Sequence, residues 1–243
     1  MKINRRMFMA SGALASATAV VPAWAQLRIE ITGVGANQMP IAIPRFQGTN
    51  NAPLDIASVV TADLERSGVF RAIKIQGELT AEDMKTPRAQ FWRTMGASYL
   101  VIGSVEKLTE TRYAVNYRLF GTTEDKIIDQ KEFVVNHADL RLTAHRIADA
   151  IYEKLTGEGG IFASRLAYVL QRGQNSYELV VSDSDGENPQ TALQSTQSII
   201  SPMWSPDGML LTYVSFEANK PVIYLHDVRT GNRRLIASFK GNN

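Results

Sequence analysis

Residues 201–216, SPMWSPDGMLLTYVSF, decide the fold. Trp204 stands four residues before Gly208, Pro206-Asp207-Gly208 supplies a turn, and a β-rich run follows. Proline fixes φ early in such a turn and glycine accepts positive φ late in it, so the segment predicts a tight turn entering a strand. Two other stretches show that it belongs to a repeat. LAYVLQRGQNSYELVVSDSDGEN begins at Leu166, and LTYVSFEANKPVIYLHDVRTGNR begins at Leu211. Both start Leu-x-Tyr-Val, cross a polar turn, run into a second strand and reach an Asp followed by a Gly. Tyr168 and Tyr213 are 45 residues apart, as are Gly186 and Gly231. That period is typical of a four-stranded propeller blade. Residues 161–243 hold fewer than two blades, and so few cannot close a ring. The expectation is a propeller truncated within this chain, with edge strands that make residues 165–243 protease-sensitive.

Upstream the texture differs. Residues 27–31, LRIEI, alternate strictly, placing Leu27, Ile29 and Ile31 on one face of a strand and Arg28 and Glu30 on the other. Gly33-Val34-Gly35 follows as a hinge-like break, and residues 40–46 predict a second short strand. Asp55–Ser67 predicts a helix with Ile56, Val59, Val60, Asp63 and Leu64 at helical spacing and Gly68 as its stop. Residues 69–75 are strand-like, and 87–96 predict a short helix whose apolar face carries Phe91, Trp92 and Met95. Three strands follow at 99–108, 112–120 and 126–135. Residues 138–155 predict the longest helix, with Leu142, Ile147, Ala148, Ile151 and Leu155 as its buried stripe. The order β-β-α-β-α-β-β-β-α describes an α+β domain, and TGEGG at 156–160 is the linker.

The first 25 residues predict a secretory signal. Lys2, Arg5 and Arg6 precede an uncharged run from Met7 to Val21, and Ala23-Trp24-Ala25 offers small residues to a signal peptidase before Gln26. The run is too short and too rich in Ala, Ser and Thr to span a bilayer, so no direct membrane insertion is expected. Arg5-Arg6-Met7-Phe8 also resembles a twin-arginine export signal, a match that an ordinary positive start often produces. The whole chain has 26 Lys plus Arg and 24 Asp plus Glu, a formal +2. The signal carries three of the basic side chains and none of the acidic ones, which leaves −1 after cleavage. Nothing in that balance points to nucleic acid. Hydrophobic residues at 44% and charged residues at 21% fit a folded chain, and the absence of cysteine excludes disulfides and thiolate metal sites.

Catalytic and ligand motifs are sparse. Gly96-Ala97-Ser98-Tyr99-Leu100 lacks the last glycine of a nucleophile elbow. Gly33-Val34-Gly35 lacks the context of a phosphate cradle, and no P-loop occurs. His137, His145 and His226 are the only histidines, and no carboxylate motif places ligands beside them. Asp183-Ser184-Asp185-Gly186 looks like the start of a calcium loop without its closing Glu, so a tight turn is expected. Trp204 and Tyr213 are expected in blade cores. No catalytic residue, cofactor or metal site is assigned.

Four stretches together carry a family resemblance: VTADLERSGVF at 60–70, YEKLTGEGGIFASRLAYV at 152–169, YELVVSDSDGEN at 177–188 and SPMWSPDGMLLTYVSFE at 201–217. They resemble the TolB family of the Gram-negative Tol–Pal system. WSPDG alone occurs in many propellers; the linker stretch behind an α+β domain and a signal peptide is more specific. The resemblance implies a periplasmic protein with an N-terminal α+β domain and a six-bladed propeller. It also implies two partners, the C-terminal domain of TolA at the mature N-terminal strand and the lipoprotein Pal at the propeller face.

The expected fold class is therefore an α+β N-terminal domain followed by an incomplete β-propeller, with 1–25 as signal, 26–158 as the α+β domain and 159–243 as the partial propeller. The expected partner-binding residues are Gln26, Leu27, Arg28, Ile29, Glu30, Ile31, Thr32 and Gly33. A free strand of this pattern can add to a partner's sheet edge, with main-chain hydrogen bonds giving affinity and Leu27, Ile29 and Ile31 giving specificity. The same strand could instead complete its own domain's sheet. The expected function is a non-enzymatic scaffold linking TolA to Pal for outer-membrane integrity and constriction during division. The alternative is the non-catalytic N-terminal part of a secreted propeller-containing hydrolase.

Overall fold

Three long strands with apolar residues on both faces build the first sheet: β3 (Tyr99–Lys107), β4 (Arg112–Gly121) and β5 (Lys126–Asn136), paired antiparallel. Two short strands extend it. β1 (Met39–Ala42) lies parallel to both β3 and β2 (Phe70–Ile73), giving the order β2-β1-β3-β4-β5. The computed structural model describes residues 38–75 and 79–241, which lie in the unit that starts at Val34. The signal at 1–25 and the strand expected at 27–31 fall outside the described residues.

Period-2 alternation assigns the two faces of this sheet. Ile41, Val101, Val105, Val115, Tyr117 and Leu119 face one core, which α1 (Ile56–Arg66) and α4 (Leu140–Thr156) cover. Ala42, Leu100, Ile102 and Phe120 face the other, where α3 (Ala89–Thr94) seats Trp92 at 2% exposure. α2 (Ala81–Lys85) precedes α3 and packs Met84 on the same face. Asp55 caps α1 by accepting from the Ser58 N–H at 3.2 Å. Gly68 follows its end and Gly157 follows that of α4.

The structure corrects the sequence reading in four places. β1 stops at Ala42, and Arg45 and Gln47 make only isolated bridges, because Pro44 cannot donate to a ladder. Phe91 is 45% exposed beneath the Arg88 guanidinium rather than in the apolar face with Trp92. Met95 is also 45% exposed, since α3 makes fewer than two turns and buries a single large side chain. On α4 the core positions are Leu140, Thr143, Ala144, Ile147, Ala148 and Ile151, while Leu142 turns toward a groove beside the second half of the chain.

That second half is all strand. A three-stranded sheet holds β6 (Arg165–Gly173), β7 (Ser176–Asp183) and β8 (Gln190–Ser195) in order. A four-stranded sheet holds β9 (Ile199–Trp204), β10 (Leu210–Ser215), β11 (Val222–Asp227) and β12 (Arg233–Ala237). Every pairing is antiparallel. The repeat read from the sequence maps β6 and β7 onto β10 and β11. The sheets share a core of Leu179, Val181, Ile199, Leu211 and Tyr213.

The opening stretch is the turn between β9 and β10. Gly208 has φ 68°, the left-handed region glycine favours. Asp207 Oδ1 accepts from the Ser205 hydroxyl at 2.6 Å and the Met209 N–H at 3.0 Å. The Ser205 hydrogen bond, then that of Met209, holds the Asp207 carboxyl below the usual carboxylate range. Arg165 stacks its guanidinium over Trp204 at 4.7 Å and donates to the Gly208 carbonyl. The start of the three-stranded sheet is thus fastened to the turn of the four-stranded one.

Candidate functional site

The partner-binding strand expected at Gln26–Gly33 lies outside the described residues. The described residues carry a different polar site, where α1, α4 and the turn after β7 meet. Asp63 occupies a core-facing position of α1 and is 0% exposed. A carboxylate so placed needs partners, and it has two. Its Oδ1 accepts from Arg66 Nη1 at 2.9 Å, and its Oδ2 lies 2.5 Å from His145 Nδ1. His145 sits on the buried stripe of α4 at 1% exposure. Its second nitrogen, Nε2, has no hydrogen-bond partner and lies 3.9 Å from Asp185 Oδ2.

Asp185 belongs to the turn DSDG. That turn closes by hydrogen bonds from Gly186 N–H to the Asp183 carbonyl and from Asp183 N–H to the Glu187 carbonyl, both at 3.0 Å, with Gly186 at φ 86°. Its carboxylates point at α4. Arg141 pairs with Asp185 and lies 3.4 Å from Asp183 Oδ2 through Nε. Burial pushes the Asp185 carboxyl up. The Glu187 N–H, Arg141 and His145 outweigh it and hold the group below the usual carboxylate range.

Ligand atoms of Asp63, His145 and Asp185 lie within 4.8 Å of one another. Their oxygens already serve the guanidiniums of Arg66 and Arg141. A cation would have to displace both, so the arrangement works as an ion-pair network. Sequence spacing gave no sign of it, because residues 63, 145 and 185 come together only through packing. The one legible signal was an acidic residue inside the apolar stripe of α1.

The chain just past the linker is fastened beside this network. Asp149 on α4 accepts from the N–H groups of Phe162 at 2.7 Å and Ala163 at 3.0 Å. Phe162 is buried edge-on against Tyr152, with ring centroids 5.7 Å apart. Its carbonyl accepts from the Ser184 hydroxyl at 2.5 Å. The segment just past the linker is therefore packed into the α+β core and bonded to the first propeller sheet, while residues 157–159 of the linker are exposed. Next to it runs an open groove of about 1090 Å³ bordered by Leu142, Arg146, Arg165, Asp183, Trp204 and Asp207.

The other histidines stand apart. His137 is exposed and lies edge-on to Tyr113. His226 is buried within the four-stranded sheet with neither ring nitrogen bonded. Burial, reinforced by Arg233 and opposed by Asp227, lowers its pKa. The unfolded chain then takes up a proton near pH 6.5 that the folded chain resists, so acid removes stability below that point. We expect His226→Phe to flatten the fall in urea midpoint between pH 7 and 5; an identical slope in both proteins would refute this.

Comparison with known proteins agrees with this architecture. Residues 27–128 match the model of the TolB amino-terminal domain, and residues 152–243 match that of the TolB beta propeller domain. A Tol-Pal system protein TolB of Albidiferax ferrireducens is 50% identical over 223 residues, which make up 92% of this chain and 52% of that protein. The relative of the same name from Bordetella pertussis is 47% identical over 230 residues, 95% of this chain and 52% of its own. The crystal structure of TolB from Acinetobacter baumannii superposes with a TM-score of 0.76 at 35% identity, covering 87% of this chain and 52% of that one. The chain spans about half the length of the curated relatives it matches. Over that half, with its α+β part and its partial propeller both matched, the chain belongs to the TolB family of Tol-Pal system proteins.

Proposed function

We propose that this chain is a non-enzymatic, periplasmic component of the Tol–Pal system that binds the C-terminal domain of TolA through Gln26–Gly33. Pal is the proposed partner of the propeller face. The observation that carries the reading is the family match, whose amino-terminal model begins at residue 27, at the start of the alternating sequence LRIEI. Among the described residues no helix is long and apolar enough to cross a membrane. The relatives' Tol-Pal names lend no support to the hydrolase alternative.

Strand addition makes a residue-level distinction. Backbone hydrogen bonds do not depend on side-chain identity, whereas alternate side chains enter the partner's pockets. Calorimetric titration of the mature chain with the TolA domain is expected to show binding that disappears when residues 26–33 are deleted. Ile29→Asp is expected to weaken it at least tenfold, and Arg28→Ala much less. Unchanged affinity after the deletion would refute the proposed site.

A further inference from the structure

Gly159 has no internal reason to be glycine. Its φ lies outside the left-handed region, and a Cβ added there would meet no atom within 4 Å. Its neighbours differ. Gly157 ends α4 at φ 80°, and a Cβ on Gly160 would lie 2.3 Å from Asp149 Oδ1. A glycine that neither a turn nor a packing contact demands leaves bare main chain, which suits close approach by another backbone. That main chain is also unengaged. Among the described residues, the N–H groups of Gly159, Gly160 and Ile161 and the carbonyls of Gly159 and Gly160 form no hydrogen bond. The same three residues border a cavity of about 420 Å³. Tyr152 and Phe162 line it, one ring edge-on to the other, and Ile161 stands at its border 74% exposed. Bare main chain beside an apolar cavity is how an extended peptide is held: main-chain hydrogen bonds give affinity and the cavity selects a side chain.

Two ionic side chains on the rim define the rest of the occupant. Arg66 is half exposed and makes its one ion pair through Nη1, to Asp63. Glu158 is exposed and has no ion pair among the described residues. Side chains two positions apart on an extended segment share a face and stand roughly 6.5 Å apart. A charge on each side of an apolar anchor can therefore meet the rim while the anchor fills the cavity. We propose that residues 159–161 and this cavity dock an extended segment of another polypeptide. Its apolar side chain, of leucine size, packs against Tyr152 and Phe162. An acidic residue two positions to one side meets Arg66, and a basic residue two positions to the other meets Glu158. Ser184, in the turn after β7, completes the wall. The docked segment thus touches both the α+β part and the first propeller sheet and stabilises their junction. This site is separate from Gln26–Gly33 and does not rest on the reading of that segment.

The test uses the whole chain with carbon-13 in its isoleucine methyl groups, so that Ile161 reports on the cavity. Two probes, acetyl-Glu-Gly-Leu-Gly-Lys-amide and acetyl-Lys-Gly-Leu-Gly-Glu-amide, cover the two strand directions. One of them is expected to shift the Ile161 methyl signal saturably. It should bind about fivefold more tightly than the other and than acetyl-Gln-Gly-Leu-Gly-Gln-amide. Replacing its Leu by Gly should abolish the shift. Gly159→Val puts a side chain over the bare main chain without an internal clash. It is expected to abolish binding while the melting temperature stays within about 2 °C of that of the natural chain. No shift with either peptide at millimolar concentration overturns the proposal, as does affinity indifferent to the charges or to the Leu. Undiminished binding by a folded Gly159→Val overturns it too. An Ile161 shift that grows with protein concentration alone would give the cavity to a second copy of this chain, which also overturns it.

Discussion

Gly48→Ala is expected to cost the fold about 2–5 kcal/mol, the largest effect of any single added methyl group here. The loop after β1 crosses β3, with Gln47 N–H donating to the Gly103 carbonyl at 2.9 Å and Val105 N–H donating to the Gln47 carbonyl at 2.8 Å. Gly48 leaves that crossing at φ 80°. A Cβ there would lie 2.2 Å from the Val105 carbonyl oxygen, a backbone atom inside a paired strand. Neither party can move without breaking the ladder, and the left-handed backbone adds its own cost. Phe46, buried over Gly103 in the same crossing, would lose its seat as the loop shifts. Urea denaturation should show a midpoint far below that of the natural chain. A loss under 1 kcal/mol would mean that the loop is not held against β3 as described.

Asp63→Ala is expected to cost about 3 kcal/mol, at the lower end of what breaking a buried ion pair removes. The full penalty arises when the remaining charge is stranded without solvent. The Arg66 side chain, half exposed, avoids that by turning to water. What stays lost is the buried hydrogen bond to Nδ1 and the filled volume between α1 and α4, the helix pair that covers the main core. Asp63→Leu should recover part of the packing but leave His145 without its partner. If Asp63→Ala unfolded at the same urea concentration as the natural chain, the network would contribute nothing to stability.

What the sequence disclosed and what it hid follow from range. The strands β3, β4 and β5 and the helices α1 and α4 are long enough for their apolar periods to show, and the 45-residue repeat needed only two copies to be seen. Gly68 and Gly157 end their helices as the composition suggested. α2 went unread because five residues complete little more than one turn and carry no periodic stripe. Its capping Thr80, which accepts from the Asp83 N–H at 3.1 Å, was the available signal. The glycines mark the exposed linker, but they gave no sign that the chain packs again directly after it, where Phe162 is buried and Asp149 accepts from the amides of Phe162 and Ala163. The junction network was invisible for the same reason that it matters: Asp63, His145 and Asp185 come from three separate elements. The segment proposed to bind the partner is the reverse case. Its pattern is plain in Leu27, Ile29 and Ile31, and its role rests on the family and on the chemistry of strand addition.

The most direct test of the functional account is to titrate a synthetic peptide of residues 26–33 into the isotope-labelled C-terminal domain of TolA and follow amide protection residue by residue. Strand addition requires that alternate amides along one edge strand of that domain become protected, while a peptide of scrambled order leaves them exchanging. Protection without sequence dependence, or no protection at saturating peptide, would contradict the assignment of this segment as the site where the chain meets TolA.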